Sequence, residues 1–148
     1  MRQAITKLAV VAVALGLAGG AAFAQESSGS GGSPDINKLL SQTADRVNAT
    51  LPRMVNDGTR LDSVRAGKGH LQYNYTLVKY TANQMDGAKL HAMIQPRLVK
   101  QVCSSRKMQV YMHSGVDVTY VYHGKDGKQI TSVTVHQSDC KSAGAKSD

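Results

Sequence analysis

Tryptophan is absent, phenylalanine occurs once, and only two cysteines and three prolines stand among the 148 residues. Glutamate is nearly missing: Glu26 is its one occurrence, inside a Ser/Gly-rich stretch. These scarcities bear on catalysis. Glycosidase-type catalysis needs two positioned carboxylates, and past Glu26 the chain offers only aspartates, with Asp57, Asp86 and Asp126 in turn-like contexts. No His-x-x-x-His or Cys-x-x-Cys spacing occurs, so no compact metal or dithiol motif is written in the chain. The Gly-x-Ser-x-Gly turn that presents a catalytic serine is also missing. Apolar residues at 41% exclude a collagen-like or fully disordered chain. The length excludes a multidomain enzyme or a large solenoid.

What is present begins with an export pattern. Arg2 and Lys7 form a positive n-region, and Leu8 to Leu17 an apolar run of about ten residues, the length of a signal core and too short to span a bilayer. Ala22-Phe23-Ala24 fits the small-x-small cleavage rule. Residues 1–24 therefore read as a signal peptide, and their removal leaves 124 of 148 residues. The formal charge of +8 then falls to +6 as Arg2 and Lys7 leave. The Ala-rich signal points to a bacterial envelope, so the expected location is periplasmic or secreted, with no membrane span in the mature chain. In that oxidising compartment Cys103 and Cys140 are expected to form one structural disulfide.

Residues 25–33 form a Ser/Gly tether that has no apolar area to bury. Residues 34–140 read as a single domain and 141–148 as a small, polar, fraying tail. Ser33, Pro34 and Asp35 start a helix whose stripe is Ile36, Leu39, Leu40, Thr43, Val47 and Leu51. Thr59 to Ala66 predicts a strand, Gly67-Lys68-Gly69 a hairpin connection, and His70 to Tyr80 an alternating strand. Its Leu71, Tyr73, Tyr75 and Leu77 face one way, and His70, Gln72, Asn74 and Thr76 the other. Asn83 to Val102 reads as helix, kinked or split at Pro96. A short helix follows, capped by Ser104 or Ser105 and stopped at Gly115.

Asp126-Gly127 predicts a two-residue hairpin turn. Placing Lys125 opposite Lys128 pairs Tyr122 with Thr131, Tyr120 with Val133 and Val118 with Val135. Valines and tyrosines then share one face; Asp117, Thr119, His123, Ser132, Thr134 and His136 share the other. A slip of one residue would destroy that segregation, so the register is well specified. The expected fold is α+β: an antiparallel sheet of about four strands with helices on one face, in the order α-β-β-α-α-β-β. One polar sheet face stays free.

Two sets of residues are candidates for function. The polar face offers Thr119, His123, Ser132, Thr134 and His136 as partner-binding residues, with Asp117 opposite His136. Arg97, Lys100, Arg106 and Lys107 gather around the helix break, and Arg106 and Lys107 are the expected electrostatic helpers. The tyrosines fall on buried faces and read as core. No metal site, cofactor or catalytic residue is assigned, and nucleic acid is not an expected partner of an exported chain. Asn48-Ala49-Thr50 and Asn74-Tyr75-Thr76 match the glycosylation pattern but carry no weight in a bacterial envelope protein.

Several patterns together, Leu51-Pro52, Thr59-Arg60-Leu61, Tyr73-x-Tyr75, Val102-Cys103, Gly115-Val116-x-Val118-x-Tyr120-x-Tyr122, Asp126-Gly127-Lys128 and Cys140, resemble a group of small exported bacterial proteins without assigned activity. They also resemble the pilotins of type II secretion. The resemblance implies a small disulfide-tied α+β domain with an accessory role. Pilotins are usually lipoproteins, and no cysteine stands near the cleavage point here, so a lipid anchor is not implied. The expected function is that of a non-enzymatic envelope accessory protein docking another envelope protein or a peptide. The alternatives are a small envelope hydrolase with His91, His113 or His123 as base, and a binder of anionic ligands through the basic residues.

Overall fold

The computed structural model describes residues 35–144, and the expected signal, tether and the end of the tail lie outside them. The fold is α+β with a five-stranded sheet, where four strands were expected. In chain order it contains α1 (Ile36–Asn48), β1 (Arg53–Asn56), β2 (Thr59–Gly67), β3 (His70–Leu77), α2 (Gly87–Ser104), α3 (Arg106–His113), β4 (Asp117–Gly124), β5 (Gln129–Val135) and α4 (Gln137–Gly144). A single 3₁₀ turn, Ala82–Gln84, precedes α2.

The strands lie in chain order, β1-β2-β3-β4-β5. The pairings β1–β2, β2–β3 and β4–β5 are antiparallel, but β3 and β4 run parallel, which corrects the all-antiparallel expectation. The reason is the connection. Parallel neighbours need a long crossover, and here α2 and α3 carry the chain from the end of β3 back to the level of its start. The added strand β1 is four exposed residues, too short to alternate legibly.

Local signals explain most of the elements. Asp35 caps α1, its Oδ1 accepting from the Asn37 amide at 3.0 Å, while Ser33 and Pro34 lie outside the described residues. Asp86 caps α2 by accepting from the Lys89 amide at 3.0 Å, so this helix starts at Gly87 rather than Asn83. Pro96 neither splits nor ends it. It sits on the exposed side, where the carbonyl it leaves without a donor can turn to water. The break comes at Ser105, whose extended backbone ends α2 and whose hydroxyl caps α3.

The β4–β5 register is the expected one at Val118–Val135, Tyr120–Val133 and Tyr122–Thr131. The turn differs. Gly124 and Lys128 close a three-residue loop, Lys125-Asp126-Gly127, with Gly127 at φ 76°. One extra residue, Ile130, then restores the pairing from Thr131 onward. Gly124 is required by close approach, because a Cβ there would collide with the backbone of Thr81 and Ala82.

Helices cover one face of the sheet in two groups. Leu40 and Ala44 of α1 pack with Leu61, Val64, Leu71, Tyr111 and Val116. Leu98 and Val102 of α2 pack with Met112, Val118, Tyr120, Val133 and Val135. Between the groups stand four tyrosines from the two parallel strands. Ring centroids are 5.3 Å apart for Tyr73–Tyr120 and 5.2 Å for Tyr75–Tyr122, and the rings stack with nearly parallel planes. Burial, reinforced by the neighbouring tyrosines, pushes the Tyr73 and Tyr75 hydroxyls up to about 12 and raises that of Tyr120 further.

The disulfide joins Cys103, near the end of α2, to Cys140 in α4 across a separation of 37 residues. The chain past Cys140 is therefore helical to Gly144 rather than frayed from residue 141. A second tie closes an exposed edge. Where β1 stops short, the Asn48 side chain donates to the Val64 carbonyl and accepts from its amide, both at 2.8 Å. Asn48 thus replaces a missing strand residue, and its amide is not free for glycosylation.

Three outcomes are expected. Reducing the disulfide lowers stability by about 4 kcal/mol in the loop-entropy account, read as a shift in the urea midpoint with and without reductant. Asn48→Ala exposes two backbone groups to loss of their partner and costs about 1–3 kcal/mol in the same assay. Tyr73 and Tyr75 are neutral in the fold up to about 12 but ionise near 10 when unfolded. Their stabilisation is therefore complete below pH 10 and is lost as pH rises through 12. Tyrosinate absorbance and circular dichroism should change together, and Tyr120→Phe should move that transition to higher pH.

Candidate functional site

The face of the sheet opposite the helices carries the alternate residues of each strand. Parallel pairing sets Gln72 beside Thr119, Asn74 beside Val121 and Thr76 beside His123. Antiparallel pairing then adds Thr134 beside Thr119 and Ser132 beside Val121. The result is an open concavity of about 550 Å³ floored by Thr119 and Val121 and rimmed by Asp62, Arg65, Gln72, His123, Gln129 and Ser132. Thr119 is only 8% exposed although it is polar, because it lies at the centre of the sheet.

The side chains hold one another. Thr76 Oγ1 donates to Asp62 Oδ2 at 2.6 Å, and Arg60 Nε donates to the other oxygen of the same carboxylate. Asp62 reaches this position through a bulge in β2: Leu61 pairs with Tyr75 and Ser63 with Asn74, so Asp62 has no partner opposite it. Gln72 Nε2 donates to Asn74 Oδ1 at 2.8 Å, and Asn74 Nδ2 to Ser63 Oγ at 3.1 Å. Thr119 and Thr134 share a hydroxyl hydrogen bond of 2.8 Å. Such mutual bonding fixes rotamers and spends little of each group's hydrogen-bonding capacity.

His123 donates from Nδ1 to the Tyr75 carbonyl at 3.3 Å, since a carbonyl only accepts, and Nε2 is left as the acceptor. His136 meets Asp117 as the register requires, Nδ1 to Oδ1 at 2.7 Å, at the far end of the same face. Its backbone amide also donates to Asp139 in α4.

The expected residues are thus divided. Thr119, His123 and Ser132 line the concavity, Thr134 supports it from beside Thr119, and His136 stands apart at the end of β5. Arg106 and Lys107 do not join them. They open α3, whose Tyr111 and Met112 pack into the core from the other side of the sheet. Asp62, Ser63, Arg65, Gln72, Asn74 and Thr76 belong to the site but were not singled out in the sequence. Alternation already placed Gln72, Asn74 and Thr76 on the wet face; nothing in the sequence placed that face beside β4.

Among the described residues no histidine ring is hydrogen-bonded to a serine or threonine hydroxyl: His91 reaches the Ser132 carbonyl at 3.0 Å and His123 that of Tyr75. No helix among them is long and apolar enough to cross a membrane.

No curated protein matches this chain. Three solved structures share the fold. A candidate secreted protein from Pseudomonas aeruginosa is 18% identical, with a TM-score of 0.63, over 74% of this chain and 99% of that one. The type 2 secretion system pilotin EpsS of Vibrio vulnificus is 15% identical, with a TM-score of 0.59, over 71% of this chain and 91% of that one. The type II secretion system pilotin AspS of Vibrio cholerae is 12% identical, with a TM-score of 0.55, over 71% and 92%. At these identities the likeness shows the fold, and the resemblance to pilotins noted in the sequence is one of architecture. A family model described as a domain of unknown function (DUF8479) matches residues 36–131, from the start of α1 into β5, and the chain belongs to that family.

Proposed function

We propose that this protein is an exported, non-enzymatic accessory protein that docks a protein or peptide partner on the polar face of its sheet. The observation that carries this reading is the concavity itself, where Thr76 is already bonded to Asp62 and Asn74 to Gln72 and Ser63. A partner that hydrogen-bonds to pre-ordered groups loses less rotamer entropy on binding. Gln72, His123 and Ser132 would provide the contacts, with Thr119 and Thr134 holding the floor.

The location follows from the export pattern. The signal would be residues 1–24, the tether 25–33 and the working domain from residue 34 through the disulfide at Cys140. A disulfide between Cys103 and Cys140 suits an oxidising compartment. The shared fold with a candidate secreted protein and two secretion pilotins supports an accessory role in the envelope.

The test is capture from envelope extract with the tagged mature protein and cross-linking. Ser132→Arg combined with Gln72→Arg fills the concavity with two cations and should reduce capture at least tenfold, with circular dichroism unchanged. Arg106→Ala with Lys107→Ala, on the opposite side, should leave capture intact. The reverse pattern would sink the polar-face reading and favour recognition of an anionic ligand by the basic residues.

A further inference from the structure

The helical side of the molecule has its own charge pattern. From Gly87 to His113 there is no Asp or Glu, while Lys89, Arg97, Lys100, Arg106 and Lys107 all fall within that segment. This is the whole of α2 and α3. Lys89, Met93, Arg97 and Lys100 follow one another at three- or four-residue spacing, so they form one stripe along α2, and all are exposed. Arg106 and Val110 repeat the pattern on α3, with Lys107 beside them. Met93 is 53% and Val110 52% exposed, each within one turn of a cation. The opposite sides of the same helices carry Leu90, Leu98, Val102, Tyr111 and Met112 into the interior, so the stripes face away from the sheet. Among the described residues the carboxylate bridged to this set is Asp86, 3.8 Å from Lys89 and itself half-exposed.

We infer that the outer surface of α2 and α3 binds anionic phospholipid bilayers, with the five cations on the headgroup phosphates and Met93 and Val110 dipping between them. A folded protein partner gains most from side chains seated in pockets, and an exposed helix ridge presents single apolar residues rather than a pocket. A headgroup layer adapts to a ridge, gathers phosphates around flexible Lys and Arg, and accepts isolated Met or Val at the acyl boundary. The contact is peripheral. Because the helices occupy one side of the sheet, it leaves the polar concavity turned away from the bilayer. It does not depend on the partner proposed above, since the two surfaces lie on opposite sides of the sheet.

Co-sedimentation of the mature protein with vesicles tests this. Binding is expected to vesicles of phosphatidylcholine mixed with phosphatidylglycerol and not to phosphatidylcholine alone. Arg97→Gln with Lys100→Gln should weaken it about thirty-fold, at about fivefold per cation. Met93→Ser, which leaves the charge unchanged, should weaken it several-fold. Lys125→Gln with Lys128→Gln, outside α2 and α3, should have little effect. Absence of binding to the mixed vesicles overturns the inference. So does equal weakening by the two double variants, which would mean net charge alone. Displacement from vesicles by soluble polyglutamate that is indifferent to Met93→Ser also overturns it, assigning the stripe to an acidic protein.

Discussion

Parallel pairing of β3 with β4, in the register that sets Tyr73 beside Tyr120 and Tyr75 beside Tyr122, is the constraint on which both sides of the molecule depend. Each flanking hairpin or meander alone is marginal in water, because a two- or three-stranded piece buries too little. Joined through this ladder they give a sheet broad enough for α1 on one half and α2 on the other. The gap between those helices is closed by the tyrosine rings, whose stacked contact adds to their area burial. The same ladder sets Gln72 beside Thr119 and Thr76 beside His123 on the reverse face, so core and concavity come from one set of backbone bonds.

The edges of the sheet are managed in different ways, and this leaves the polar face as its open surface. The β5 edge is covered by α2, with His91 on the Ser132 carbonyl and Gly87 packed so closely on Ile130 that no side chain would fit. The β2 edge is plugged by Asn48. The remaining edge, β1, is four residues long and irregular, with Val55 displaced from the ladder between Met54 and Asn56. Short, bulged edges discourage uncontrolled strand addition. The molecule is therefore two-sided: a hydrogen-bonded polar face, and a helical ridge whose charge is all of one sign along α2 and α3.

The solved structures with this architecture share 12% to 18% of their residues with the chain. Conserving a layered α+β frame needs only apolar residues of suitable size at the right alternation, and this tolerates wide sequence change. The side chains on the open surfaces are not bound by that requirement. Function in such a family is carried by sites on the frame rather than by the frame; the bulge that delivers Asp62 and the acid-free stretch from Gly87 to His113 are the features on which the two proposed surfaces rest.

What could be read from the chain was local. Alternation in 70–77 and 117–135 established which residues face inward, the pairing of Tyr120 with Val133, and the meeting of His136 with Asp117, because a period of two leaves one register that segregates polar from apolar. The lone pair of cysteines identified the disulfide. Other features were illegible for stated reasons: β1 is too short to show a period, Ile130 is an insertion that only its partner strand reveals, and α4 has only a weak apolar stripe and is secured by Cys140. By itself the sequence determined the inner faces of β3, β4 and β5, the buried stripes of α1, α2 and α3 and the crosslink, since those depend on neighbours a few residues away or on rare residue types. Only the tertiary structure decided that the two halves run parallel, which residues of β2 and β3 share a site with Thr119, and that Arg106 and Lys107 stand on the other side, because strand direction across a long crossover is set by how whole layers pack.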